Sequence, residues 1–355
     1  MARFKGVFFK IKIIGVRLLT FTVLGLILFF NPAFAFGSLR TGVSEKTAPN
    51  KVLVDRSESA SQLKTRNYEI KTEIVVRAGI GSGPEDLGVI MPEEANPEGP
   101  MSFVVGSAGE IYVLDQTNAR IQVFKNGKYL KTIKIPDAVY SDLELLPGGR
   151  IALLDSLVKK AVFINDEKGS LRETVSLLQK EIPSPEFVLG LYFRGEGDWA
   201  GLWAQADNSS IWLAGLDGKP AIRDKVLPGL LNFKGKNLLK LKLEDKKQAI
   251  VLRSDETFGN WARLKVNFEL PLGQVFGLWE DLRGRLLLAV NLFDEKKETS
   301  QTVVLDSRGK EVVRVEMSVS AHPAEIYFPV RVTPDGQIYQ LTIEKDEVIR
   351  KYSLF

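Results

Sequence analysis

EGPMSFVVGSAGEIYVLDQTNARIQVFKNGKYLKTIKI, residues 98–135, contains four short strand-like runs: SFVVG (102–106), EIYVLD (110–115), RIQVF (120–124) and YLKTIKI (129–135). Each run is rich in β-branched or aromatic residues, which suit a pleated, half-buried surface. The breaks hold Ser107-Ala-Gly, Gln116-Thr-Asn-Ala and Lys125-Asn-Gly-Lys, and Gly and Asn tolerate the positive φ of tight hairpins. The stretch therefore reads as one four-stranded antiparallel sheet.

This unit repeats. Gly109-Glu-Ile-Tyr-Val-Leu-Asp115 is answered 40 residues later by Gly149-Arg-Ile-Ala-Leu-Leu-Asp155, and RIQVF by KAVFI. Such a period without helical periodicity points to the blades of a β-propeller. SSIWLAG, QAIVLRS, RLLLAVN and QIYQLTI read as later second strands, behind inner strands FVLGLYF (187–193), NLLKLKL (237–243), VFGLWED (275–281) and FPVRVTP (328–334). The expected fold is all-β, a six-bladed propeller of four-stranded blades over residues 68–355. Blade six runs out of chain before an outer strand, whereas Tyr68 to Arg77 has strand character and no blade of its own. The N-terminal strand is therefore expected to complete blade six and close the ring, which removes exposed edges.

Ahead of this domain, residues 1–35 read as an export signal: a basic stretch to Arg17, an uncharged apolar run Leu18 to Phe30, and Ala33-x-Ala35. Cleavage after Ala35 is expected, with an uncleaved N-terminal anchor over Val7 to Phe30 as the alternative. Either outcome places the rest outside the cytoplasm, periplasmic or secreted, with the membrane touched only through an uncleaved N-terminus. Residues 36–67 are polar, lack a sustained period and read as a flexible linker. The formal charge of +4 owes everything to the leader: Arg3, Lys5, Lys10, Lys12 and Arg17 stand there without an acid. Without those five, the 48 basic residues become 43 against 44 acidic, which leaves no electrostatic reason to expect nucleic acid as a partner. There is no Cys, so no disulfide framework can hold the exported fold.

Blade one, with EGPMSFVV, GEIYVLD, Asn118 and RIQVF, resembles an NHL repeat, and blade two resembles it more loosely. The resemblance implies a propeller scaffold of a class that contains protein-binding and RNA-binding members and a few enzymes. Blades three to six lack the Asp-x-x-Asn-x-Arg element, so the likeness supports a fold more than an activity.

Chemistry is restricted by what the chain lacks. His322 is the single His, so His-ligated metal sites and His dyads are excluded, and no Gly-x-Ser-x-Gly elbow accompanies it. Asp115 and Asp155 recur at one place in the repeat and are read as turn-capping residues. The remaining carboxylates of interest are Asp142 and Glu144 on the second inner strand, Glu280 and Asp281 on the fifth, and Glu186 and Glu325 before the third and sixth. Converging on the axis, they could bind Ca²⁺ in the manner of the lactonase type of propeller. Arg331, at the corresponding place in blade six, offers them a positive partner instead, with the ionised carboxylate stabilised by it. Trp199, Trp203 and Trp212 fall around GEGDWAGLWAQADNSS, read as an insertion in blade three; burial between neighbouring blades is the commoner fate of Trp, and an exposed aromatic surface that contacts a ligand is the other reading. The candidate binding residues are thus Asp142, Glu144, Trp199, Trp203, Trp279, Glu280 and Arg331, with no catalytic residue and no resident metal. The expected function is that of an exported, non-enzymatic binding or scaffold protein that contacts a protein or an envelope polymer with one face. A Ca²⁺-dependent hydrolase with a carboxylate-lined channel is the alternative, and oligomeric state is left open.

Overall fold

The computed structural model describes residues 68–93, 97–136, 139–195, 199–215, 226–320 and 326–355. Residues 1–35 and 36–67, expected to be an export signal and a linker, lie outside the described residues, as do His322 and Glu325. The described chain forms six four-stranded antiparallel sheets arranged as a six-bladed β-propeller. Blade one comprises Ser102–Val105, Ile111–Asp115, Arg120–Lys125 and Lys128–Lys134, within a residue or so of the runs read from sequence. Blade two opens with Asp142–Leu146, blade five with Leu272–Glu280 and blade six with Val330–Val332.

Blades three and four differ from the sequence reading by one strand. The inner strand of blade three is Val188–Arg194, but its second strand is Gly201–Ala206, and SSIWLAG supplies the third, Ser209–Ala214. The supposed insertion is thus a regular strand of the blade. In blade four the inner strand is only Leu230–Leu231, so Leu238–Asp245 is second and Gln248–Ser254 third. A two-residue strand has no periodicity to read, and GLWAQA lacks the β-branched residues that mark the other blades.

The ring closes as the sequence implies. Ile70–Ala78 pairs antiparallel with the last strand, Glu347–Leu354, from Ile70 opposite Leu354 to Ala78 opposite Glu347. The core is distributed around that ring, one apolar cluster filling each seam between neighbouring blades. Leu154, Val162 and Leu202 sit between blades two and three, and Val76, Phe103 and Leu341 between six and one. Because each blade buries both faces against its neighbours, every seam depends on the ring being complete.

The leading loop is fastened by the residues that gave blade one its distinctive text. Arg120 donates through Nε to Asp115 (2.7 Å) and through its other nitrogens to the carbonyls of Ser82 (3.1 Å) and Asp86 (2.8 Å). Asn118 donates to the Gly81 carbonyl (3.0 Å) and Gln122 to that of Pro84 (2.7 Å). Asp115 Oδ1 receives the Gly88 N–H at 2.9 Å, where a Cβ would fall 1.8 Å from Thr117 Oγ1 and only glycine fits. Asp155 caps its own turn by accepting the N–H groups of Val158 (2.8 Å) and Lys159 (3.0 Å). The backbone donor to Asp115 comes from a distant loop instead, so the two aspartates share a position and differ in partner.

Glu347, at the end of the closing pair, is fully buried, and neither of its carboxylate oxygens has a hydrogen-bond partner among the described residues. Burial, reinforced by the neighbouring Asp115 charge, pushes its carboxyl up to about 8. A folded-state value above the ordinary 4.5 stabilises the fold fully below 4.5, and that contribution is lost as pH rises through about 8. The melting temperature should therefore fall between pH of about 5 and about 9, and Glu347→Gln should flatten the decline. An identical slope in the variant would contradict this assignment.

Candidate functional site

The inner strands bring four blades together at Asp142, which is fully buried. Its Oδ1 accepts the Ser102 hydroxyl of blade one (2.6 Å) and a hydrogen bond from Arg331 of blade six. Its Oδ2 accepts the Leu191 N–H of blade three at 2.8 Å. Arg331 also donates to the Phe103 carbonyl and to Ser102 Oγ, both at 2.8 Å, and its guanidinium lies 4.5 Å from the centre of the Phe328 ring. Gly190 makes this approach possible, since a Cβ there would lie 2.3 Å from Phe328 and 2.9 Å from Asp142 Oδ2.

Burial is the largest influence on the Asp142 carboxyl and raises it, although Arg331, Ser102 and the Leu191 N–H oppose the shift. The stabilisation of the ionised form by Arg331 that the sequence implies does not prevail. In this dry position desolvation exceeds the attraction, as it commonly does for buried pairs. Glu144, two residues along, accepts the Leu145 N–H at 2.8 Å. Burial pushes it up to about 7 despite Arg331, with the Asp142 charge adding to the rise and Arg194 opposing it.

The fifth blade commits its acids elsewhere. Glu280 is bound in bidentate fashion by Arg253 of blade four, Nε to Oε2 at 3.0 Å and Nη2 to Oε1 at 2.5 Å. Asp281 accepts the N–H groups of Arg283 and Arg285 and the Arg285 Nε at 2.6 Å, and so shapes its turn. Glu186 lies outside the axis with its carboxylate 3.8 Å from Lys160. Among the described residues no group of three or more Asp, Glu, His or Cys is placed to hold a metal ion.

Beside the Asp142 knot lies an open cavity of about 50 Å³ bounded by blades three to six, with Tyr192, Arg194, Phe276, Trp279, Phe328 and Arg331 in its wall. Trp279 and Glu280 belong to this wall, as their inner-strand position implies. Trp199 and Trp203 do not. Trp203 is 0% exposed, stacked on Tyr192 with its indole N–H donated to the Trp199 carbonyl at 3.0 Å. Trp199 leans on Phe258 of blade four, 5.5 Å between ring centres, and is half-buried in the seam. Of the two readings, the exposed aromatic surface is corrected and burial between blades holds: Trp203 lies on the regular strand Gly201–Ala206 with its side chain in the seam, and Trp199 packs against the same cluster. Arg194, Ser102, Phe276 and Phe328 were not singled out from sequence. An Arg ending inner-strand text, as Arg331 sits within it, was the signal that could have found Arg194.

These features define a six-bladed propeller with a cross-linked axis and an aromatic, arginine-bearing cavity. No protein-family model and no curated protein matches the chain, so the NHL likeness of blade one rests on its own residues. Similar solved structures include virginiamycin B lyase from Staphylococcus aureus, 15% identical, covering 81% of this chain and 100% of that one with a TM-score of 0.41. A gluconolactonase from Xanthomonas campestris is 11% identical over 70% of this chain and 83% of its own, with a TM-score of 0.43. A protein from Lactobacillus plantarum is 12% identical over 72% and 91%, also at 0.43. Likenesses this distant carry no inference about activity.

Two outcomes follow from the packing. Asp142→Asn strands the Arg331 charge and should cost about 3 kcal/mol or more in denaturant unfolding, since breaking a buried pair is strongly destabilising. A change under about 0.5 kcal/mol, the range of ordinary surface substitutions, would remove the knot from the account. Trp203→Ala should cost about 3–5 kcal/mol, as truncating a buried aromatic does, and Trp199→Ala distinctly less. Equal losses would place both rings in the same environment.

Proposed function

We propose that this protein is an exported, non-enzymatic binding propeller that engages a protein or an envelope polymer at the mouth of its axial cavity. The observation that carries the reading is the way the axial carboxylates are used. Asp142 is occupied by Ser102, Arg331 and the Leu191 N–H, and both oxygens of Glu280 by Arg253. Residues held in this way do not fit a calcium shell, which needs six to eight oxygen ligands free to face the ion. Nor do they offer the accessible acid and base pair that hydrolysis requires. What the cavity does present is half-buried aromatic surface next to positive charge, the composition that anchors partners at interfaces. The extracytoplasmic location is supported by the basic and apolar leader ending in Ala33-x-Ala35.

Site-specific photocrosslinking in cells of the source organism tests this. A crosslinker replacing Phe276 at the cavity should trap a defined partner, whereas one replacing Lys131 on an outer strand should not. Equal trapping at both positions would overturn the axial assignment. Calcium-dependent hydrolysis of a lactone or ester, lost in Asp142→Asn, would replace binding with catalysis.

A further inference from the structure

The arginines around the axial cavity are not all held in direct ion pairs. Arg331 faces Asp142, and Glu280 is taken by Arg253, but no carboxylate pairs with Arg194 among the described residues. Arg194 is instead held by carbonyls: Nε donates to Asn232 (2.7 Å), Nη1 to Phe193 (2.9 Å) and Nη2 to Leu231 (2.6 Å). A guanidinium carries five N–H donors, so this fixes the group without exhausting it. The rings of Tyr192 and Phe233, centred 4.4 and 5.0 Å from its central carbon, complete the support. A cation immobilised in advance, largely withdrawn from water and without a carboxylate at ion-pair distance among the described residues is a binding site for an anion, because the anion relieves a desolvation cost already incurred.

We propose that the axial cavity is a carboxylate-binding subsite in which Arg194, with Arg331 in the same wall, receives the carboxylate and Phe276, Trp279 and Phe328 flank an apolar or ring-shaped stem. A planar guanidinium matches a carboxylate in bidentate geometry. The cavity of about 50 Å³ admits a small head group, with the stem directed to the open mouth. This deepens the axial binding reading and rests on it.

Calorimetric titration of the full chain with benzoate, and in parallel with benzyl alcohol and inorganic phosphate, tests the subsite. Benzoate should bind saturably while benzyl alcohol does not. Arg194→Gln should weaken binding by about tenfold or more. If that variant fails to fold, Arg194→Lys keeps the charge, loses the planar fork and should still weaken binding. Absent benzoate binding, or binding unchanged in the Arg194 variants, overturns the proposal, and phosphate binding as tight as benzoate overturns the carboxylate class. Benzoate bound while Phe276 crosslinking fails counts against the partner reading alone; crosslinking intact without benzoate binding counts against the subsite alone.

Discussion

The antiparallel pairing of Ile70–Ala78 with Glu347–Leu354 joins the two ends of the described domain, and the apolar seams depend on it. With no cysteine in the chain, covalent closure is unavailable, and the ring is held by backbone hydrogen bonds and by the side chains those bonds align. An open series of blades would expose two unpaired edges and leave Val76, Phe103 and Leu341 without their facing sheet. The leading loop is secured to the same region by Arg120, Asn118 and Gln122, so the blade that follows the closing strand also anchors the chain between them. The conspicuous polar text of blade one is therefore structural in origin.

The axis answers a different requirement. Inner strands from six directions converge where side chains are crowded and dry, and a charge placed there needs a partner from another blade. Asp142 meets Arg331 and Glu280 meets Arg253 across blade boundaries, with Ser102 and the Leu191 N–H completing the first pair. Such pairs contribute little net stability, because desolvation offsets attraction, but they penalise any other placement of the blades. Arg194 is the exception, held by carbonyls and rings with no direct ion pair among the described residues, and it gives the cavity wall a positive group.

The strands of blades one, two, five and six were legible because alternating β-branched and aromatic residues stand between Gly and Asn turns. Blades three and four were shifted by one strand because Gly201–Ala206 is built largely of Gly, Ala and Trp, and Leu230–Leu231 is too short to alternate. That single shift put Trp203 in a supposed insertion, where an exposed reading stood beside the buried one that the structure shows. The candidate site was legible in part: inner-strand position correctly brought Asp142, Glu280, Trp279 and Arg331 toward the axis, while Arg194 passed unnoticed at the end of a strand.

The sequence by itself determined the all-β repeat, the closure by the N-terminal strand and the lack of thiolate and multi-histidine chemistry, since each follows from local pattern or from composition. Only the tertiary structure decided which charges neutralise one another. Arg331 and Asp142 are 189 residues apart and Arg253 and Glu280 are 27 apart, and both pairs form because folding places different blades side by side. The same burial that draws these partners together raises the Asp142, Glu144 and Glu347 carboxyls, through the loss of water around each group. Solvent exclusion depends on the whole packed ring, and no run of neighbouring residues records it.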